Sequence, residues 1–170
     1  MRRNLSRACL AVLLAAVAAG AGWNEFVSRE GRFAIRMPGA PVRHSQTVDS
    51  DAGPIDMHMF SAEEGGMVYF VAYSDYPAGQ IDAASARLFL DGARDGAIRN
   101  IKGTLLAETA IKQDRFPGRE LKIASADGSM VIRARLFMID ARLLQVMVIA
   151  PAASLNDATI DRFFESLRLL

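Results

Sequence analysis

The chain has 170 residues, of which 51% are hydrophobic and 23% charged, with 20 basic groups against 19 acidic ones and a single cysteine. That length holds one ordinary domain, the charge content is that of a globular protein, and the even balance leaves no electrostatic footprint for nucleic acid. One thiol excludes a disulfide framework and every multi-thiolate metal site.

The chain opens with Arg2, Arg3 and Arg7, continues with an apolar run from Leu10 to Ala19, and then offers Ala19-Gly20-Ala21 as a small-residue cleavage site. This three-part order predicts a secretory signal peptide over residues 1–21. The run is too short for a membrane span, which takes about 20 apolar residues. Cys9 lies before the apolar core, the reverse of the lipoprotein order. Cleavage after Ala21 removes three arginines, no acids and the only cysteine, so the net charge moves from +1 to −2. The expected product, residues 22–170, is a single thiol-free domain for the periplasm or the exterior, with no membrane span of its own.

Residues 23–27 form a short apolar-rich opening, and residues 33–37 read as a strand stopped by Pro38-Gly39. Residues 42–48 alternate weakly and predict an exposed or edge strand. Residues 55–61 and 67–74, separated by the turn at 63–66, predict a hairpin, and the apolar run at 68–73 predicts a central strand covered on both faces. From Asp82 to Ile98 the period changes: Ala86, Phe89, Leu90, Ala93 and Ala97 share one helical face, with Asp82 as N-cap. Gly92 and Gly96, one turn apart, are expected to let this helix pack closely on a sheet.

A strand is expected over residues 105–112 and a turn at Phe116-Pro117-Gly118. Residues 119–125 and 130–139 predict a second hairpin across Asp127-Gly128. Its expected register sets Ile123 opposite Ile132, Leu121 opposite Ala134 and Glu120 opposite Arg135, apolar on one face and opposite charges on the other. Residues 143–149 form a further strand ended by Pro151. Asn156 or Ser154 then caps a helix whose Ile160, Phe163, Phe164 and Leu167 make one apolar stripe. An internal echo at an offset of 74 residues aligns Pro77 with Pro151, Asp82 with Asn156 and Phe89 with Phe163. The expected architecture is α+β: a mostly antiparallel sheet with helices packed against it, in two hairpin–helix halves.

The meandering strand order, the helix holding Asp91-Gly92-Ala93-Arg94-Asp95-Gly96, the Pro117-Gly118-Arg119-Glu120 stretch and the terminal helix resemble the Mog1/PsbP-like fold family, which includes small exported bacterial proteins of unassigned function. The family also holds a photosystem accessory subunit and a nuclear-transport factor. The resemblance therefore implies a binding or assembly role rather than catalysis.

Met57-His58-Met59 is the string with most chemistry, since thioethers and imidazole are soft ligands suited to Cu(I). On a strand, however, the two methionines point to one face and His58 to the other, and nothing in the sequence brings His44 near. Asp49, Asp51 and Asp56 resemble part of a calcium loop, but its twelfth position is Phe60, where a bidentate Glu belongs. No G-x-S-x-G elbow, phosphate loop, HExxH or dinucleotide fingerprint occurs. Tyr73, Asp75 and Tyr76 at a strand end, and Arg133 and Arg135 beside Glu120 and Lys122, are candidates to line a ligand or partner surface. Otherwise they are a belt of amphipathic aromatics and a salt-bridged solvent face.

The sequence thus points to an exported, non-catalytic binding or accessory protein without cofactor, whose partner is an envelope protein or a small ligand. A periplasmic copper-binding protein and an enzyme with a non-standard site are the competing readings.

Overall fold

The computed structural model describes residues 22–50, 53–77, 79, 81–82 and 85–170. The expected signal peptide lies outside the described residues. The order of elements is β1 (Trp23–Ser28), β2 (Phe33–Pro38), β3 (Val42–Ser50), β4 (Gly53–Glu64), β5 (Met67–Asp75), α1 (Ser85–Asn100), β6 (Thr104–Gln113), β7 (Phe116–Ala124), β8 (Met130–Ile139), β9 (Arg142–Pro151), α2 (Asp157–Glu165) and β10 (Arg168–Leu169).

Seven strands form one antiparallel sheet in the order β3-β4-β5-β9-β8-β7-β6, and β1, β2 and β10 form a second, small sheet with β2 in the middle. One face of the large sheet, carrying Tyr69, Val71, Phe137, Leu144, Val146 and Val148, packs against the small sheet and against Ile160, Phe163 and Phe164 of α2. The other face, carrying Leu121, Ile123, Ala134, Leu136 and Leu143, packs against Ala86 and Leu90 of α1. The α+β architecture is the expected one.

The β7–β8 register sets Ile123 opposite Ile132, Leu121 opposite Ala134 and Glu120 opposite Arg135, as the apolar pattern requires. Gly128 takes the left-handed position of that turn, at φ +70°. Asp82 caps α1 reciprocally: its Oδ1 accepts the Ser85 N–H at 2.7 Å, and Ser85 Oγ accepts the Asp82 N–H at 2.8 Å. Asn156 rather than Ser154 caps α2, accepting the Thr159 N–H at 3.1 Å.

Four expectations change. The turn before β7 falls on Asp114 and Arg115, with Asp114 at φ 53°, and Phe116, Pro117 and Gly118 already pair in the strand. Gly118 marks close approach instead: a Cβ there would lie 2.5 Å from a ring carbon of Phe137 and 2.6 Å from the Leu136 carbonyl oxygen. Gly92 and Gly96 do not mediate packing on the sheet. A Cβ on Gly92 would meet nothing within 4 Å, and one on Gly96 only the Arg99 guanidinium at 3.9 Å. Strand β5 is central, yet α1 lies over β7 and β8, so Val68 and Phe70 stay half-buried while Tyr69 and Val71 on the opposite face are fully buried.

The fourth concerns the internal echo. Its offset aligns Tyr69, on the α2 face, with Leu143, on the α1 face. A rotation that exchanges neighbouring antiparallel strands keeps each face of the sheet, so the echo does not describe a two-fold axis. The two hairpin–helix halves are both present, but they send their helices to opposite sides. The shared Asx caps and amphipathic stripes are common helix chemistry arising twice.

Both outer strands are blunted. β6 carries a register shift between Leu105 and Ala107, and β3 presents Arg43, His44, Ser45, Gln46 and Thr47 as exposed residues.

Candidate functional site

A depression of about 530 Å³ lies between α2 and the small sheet and is lined by Trp23, Arg36, Thr159, Arg162, Glu165 and Ser166. Trp23, on the first residue of β1, stands edge-on to Tyr69 at 4.8 Å and to Phe163 at 6.2 Å, and its indole N–H donates to Glu64 at 2.7 Å. Arg36 is the only exposed residue of β2, because alternation turns it away from the core that buries Ile35 and Met37. Its guanidinium donates to the Trp23 carbonyl at 3.2 Å, and its backbone N–H donates to Ser166 Oγ at 3.0 Å. Arg162 is on the exposed side of α2 and reaches Thr159 Oγ1 at 3.4 Å.

The result is an aromatic floor with two guanidinium groups on its rim. Beneath it the phenol of Tyr69 is pushed up to about 12, chiefly by burial and then by the Glu64 carboxylate, with Arg162 opposing. Tyr69 is therefore neutral at every working pH and contributes shape. The two hydroxyls of the lining are already engaged: Ser166 Oγ donates to the Phe163 carbonyl at 2.6 Å while accepting from Arg36, and Thr159 accepts from Arg162. Among the described residues neither hydroxyl is hydrogen-bonded to a base that would make it a nucleophile.

The residues singled out from the sequence lie elsewhere. His58 packs on Tyr73, with ring centroids 4.7 Å apart, and its Nδ1 lies 2.9 Å from Ser45 Oγ, on the face that looks toward the small sheet. Met57 and Met59 lie on the opposite face. His44 pairs directly with Met59 across β3 and β4, a proximity the sequence could not disclose. In the calcium-like segment Asp49 pairs with Pro54 and Ser50 with Gly53 in a tight hairpin, and Asp51 lies outside the described residues.

Tyr73 and Asp75 meet on one arginine, Arg142, whereas Tyr76 lies apart from them. Tyr73 is buried under the Arg142 guanidinium, 4.5 Å above its ring. Asp75 accepts from Nε and Nη2 of Arg142, and Tyr76 packs edge-on against Phe89 of α1 at 4.9 Å.

Arg133 and Arg135 do converge. Glu120 receives Arg133 at 2.6 Å and Arg135 at 2.7 Å, and Arg133 reaches on to Asp157 at 2.8 Å and Asp161 at 3.1 Å on α2. Both guanidinium groups also lie over the Phe164 ring, at 5.7 and 4.9 Å. This network bolts α2 to the sheet, beside the groove rather than in it.

Sequence reasoning missed the groove residues. Two signals pointed there: the single tryptophan, and one arginine inside an otherwise apolar strand.

No family model and no curated protein matches the chain. Among solved structures it is similar to the solution structure of cyanobacterial PsbP (CyanoP) from Synechocystis sp. PCC 6803, at a TM-score of 0.59 and 12% identity, over 94% of this chain and 99% of that one. At that identity the likeness is one of fold. The chain has the PsbP-like α+β fold that its strand order resembles, and no helix among the described residues is long and apolar enough to cross a membrane.

Proposed function

We propose that the protein is an exported, non-catalytic accessory module that docks a protein partner in the groove between α2 and the small sheet. The observation that carries this reading is the groove itself: a half-exposed indole on an aromatic floor, with Arg36 and Arg162 on its rim. Aromatic and arginine side chains are the types that dominate binding energy at protein interfaces. A segment with an apolar anchor and a neighbouring carboxylate complements that pairing, because guanidinium binds carboxylate in a bidentate geometry. The engaged hydroxyls of Thr159 and Ser166 support binding over catalysis, and so does the likeness to a fold whose members include assembly factors. The leader-like arrangement of residues 1–21 supports export.

The test is a photo-crosslinking residue placed at Thr159 in the full chain, in its native host, with a control at the exposed Leu106 of β6. The reading expects a discrete adduct from position 159, none from position 106, and loss of the adduct when Arg36 and Arg162 are replaced by Glu. An adduct that survives the double charge reversal, or none at all, overturns it.

A further inference from the structure

The face of the large sheet that α1 covers over β7 and β8 carries, at its β3–β4 end, a group of soft donors apart from the groove. Strand pairing sets His44 directly opposite Met59, and Gln46 directly opposite Met57. Residues opposite one another on an antiparallel pair share a face, and so do residues two apart on one strand. His44, Met57 and Met59 therefore project to the same side, while His58 is held on the other by Ser45 and Tyr73. Directly opposed Cβ atoms stand about 5 Å apart and diagonal ones about 7 Å, within reach of long side chains. The three residues form a compact triangle of one imidazole and two thioethers, and the methionines carry three rotatable bonds each with which to close on a common point.

The surroundings suit an ion. His44 is exposed and the two methionines are half-buried, so the donors are reachable from solvent but backed by the sheet. Ala72, a small and fully buried neighbour, stands beside Met59 on β5. The residues that flank the triangle on this face include Val42, Gln46, Ile55, Ser61, Phe70 and Ser74, none of them charged. A hard or borderline dication would find no carboxylate or thiolate here, and among the described residues no cluster of three His, Cys, Asp or Glu side chains is placed to hold a metal. Neutral thioethers with one imidazole instead favour a soft monovalent ion.

The geometry points to a Cu(I) or Ag(I) site formed by His44, Met57 and Met59. The test is titration of Ag(I) into the full chain carrying Cys9→Ser, which removes the competing thiol, followed by calorimetry and by NMR of 13C-methyl-labelled methionine. One equivalent is expected to bind, moving the methyl signals of Met57 and Met59 and leaving those of Met37, Met67 and Met138 in place.

Met59→Leu keeps the volume and His44→Ala lies at the surface, so both variants fold. Each should weaken binding at least as much as loss of an outer-sphere partner does, roughly tenfold to a hundredfold. His58→Ala should bind as the parent does. Failure to bind one equivalent, unchanged affinity in His44→Ala or Met59→Leu, or equally tight binding of Zn(II) overturns the site. Loss of binding in His58→Ala overturns the assignment of its ligands.

Discussion

Arg142 and Asp75 face each other across β9 and β5 and form a bidentate pair, Nε to Oδ1 at 2.6 Å and Nη2 to Oδ2 at 2.7 Å, while the third arm of the guanidinium reaches the Glu30 carbonyl at 2.8 Å. The partners are unequally placed. The arginine side chain is 8% exposed and the aspartate 57%.

That asymmetry sets the ranking of two substitutions. Asp75→Ala leaves a buried cation without its counter-charge and is expected to cost about 2 kcal/mol, whereas Arg142→Leu frees an aspartate that water already reaches and should cost less. Urea unfolding of the two variants checks the order. Equal losses would show that packing over Tyr73, and not charge, is what Arg142 supplies.

Acid should unfold the protein in part through the same group and through Glu120. The Arg142 hydrogen bonds hold the Asp75 carboxyl below its ordinary value. Burial raises that of Glu120, but the hydrogen bonds from Arg133 and Arg135 outweigh it and the net shift is downward. A carboxyl depressed in the folded state takes up its proton more readily in the unfolded chain. Its contribution is complete above the unfolded value, near 4 for these residues, and is lost as the pH falls through the folded value. The urea midpoint should stay level from pH 7 to about 5.5 and fall steadily below about 4. Asp75→Asn should flatten part of that acid slope.

The two glycine environments predict opposite signs. Gly118→Ala drives a methyl into the Leu136 carbonyl and the Phe137 ring, at an expected cost of about 3 kcal/mol. Gly92→Ala meets open space in the middle of α1 and should stabilise by about 1 kcal/mol through helix propensity alone. Thermal melts of the two variants should move in opposite directions.

Arg133 is the hub between sheet and helix, 12% exposed among three carboxylates. Arg133→Met keeps the stem but strands Glu120 with one partner, and should cost about 2 kcal/mol. Hydrogen exchange gives the sharper readout, since amides of α2 should lose more protection than those of β5.

Ser74 is 1% exposed, and its hydroxyl has no hydrogen-bond partner among the described residues. Ser74→Ala removes an unsatisfied polar atom from the core and should be neutral or stabilising by up to about 1 kcal/mol. A measurable loss would reveal a buried water on that oxygen.

Local signals carried much of this fold into the sequence. The Asp127-Gly128 turn and the paired apolar and charged positions around it specified a register that the structure reproduces residue by residue. The Asp82 cap was equally legible and the second was narrowed to Asn156 or Ser154, because capping is short-range chemistry. What stayed hidden depends on placement across the sheet. Val68 and Phe70 look as buried as Tyr69 in a linear pattern, and only the position of α1 shows which face is open. The groove joins β1 to α2 across more than 130 residues, and the approach of His44 to Met59 rests on a strand register that no Asn-Gly or Asp-Gly turn announces.

The small sheet has a kinetic consequence. Its central strand, β2, takes β1 on one edge and β10 on the other, so Phe33 and Ala34 wait for Leu169 and Arg168 before their pairing is complete. Closing such a long loop is slow relative to forming the local hairpins. For a chain exported as proposed above, that delay is an asset: a polypeptide that cannot finish its fold until residue 169 is available stays threadable while it crosses the membrane.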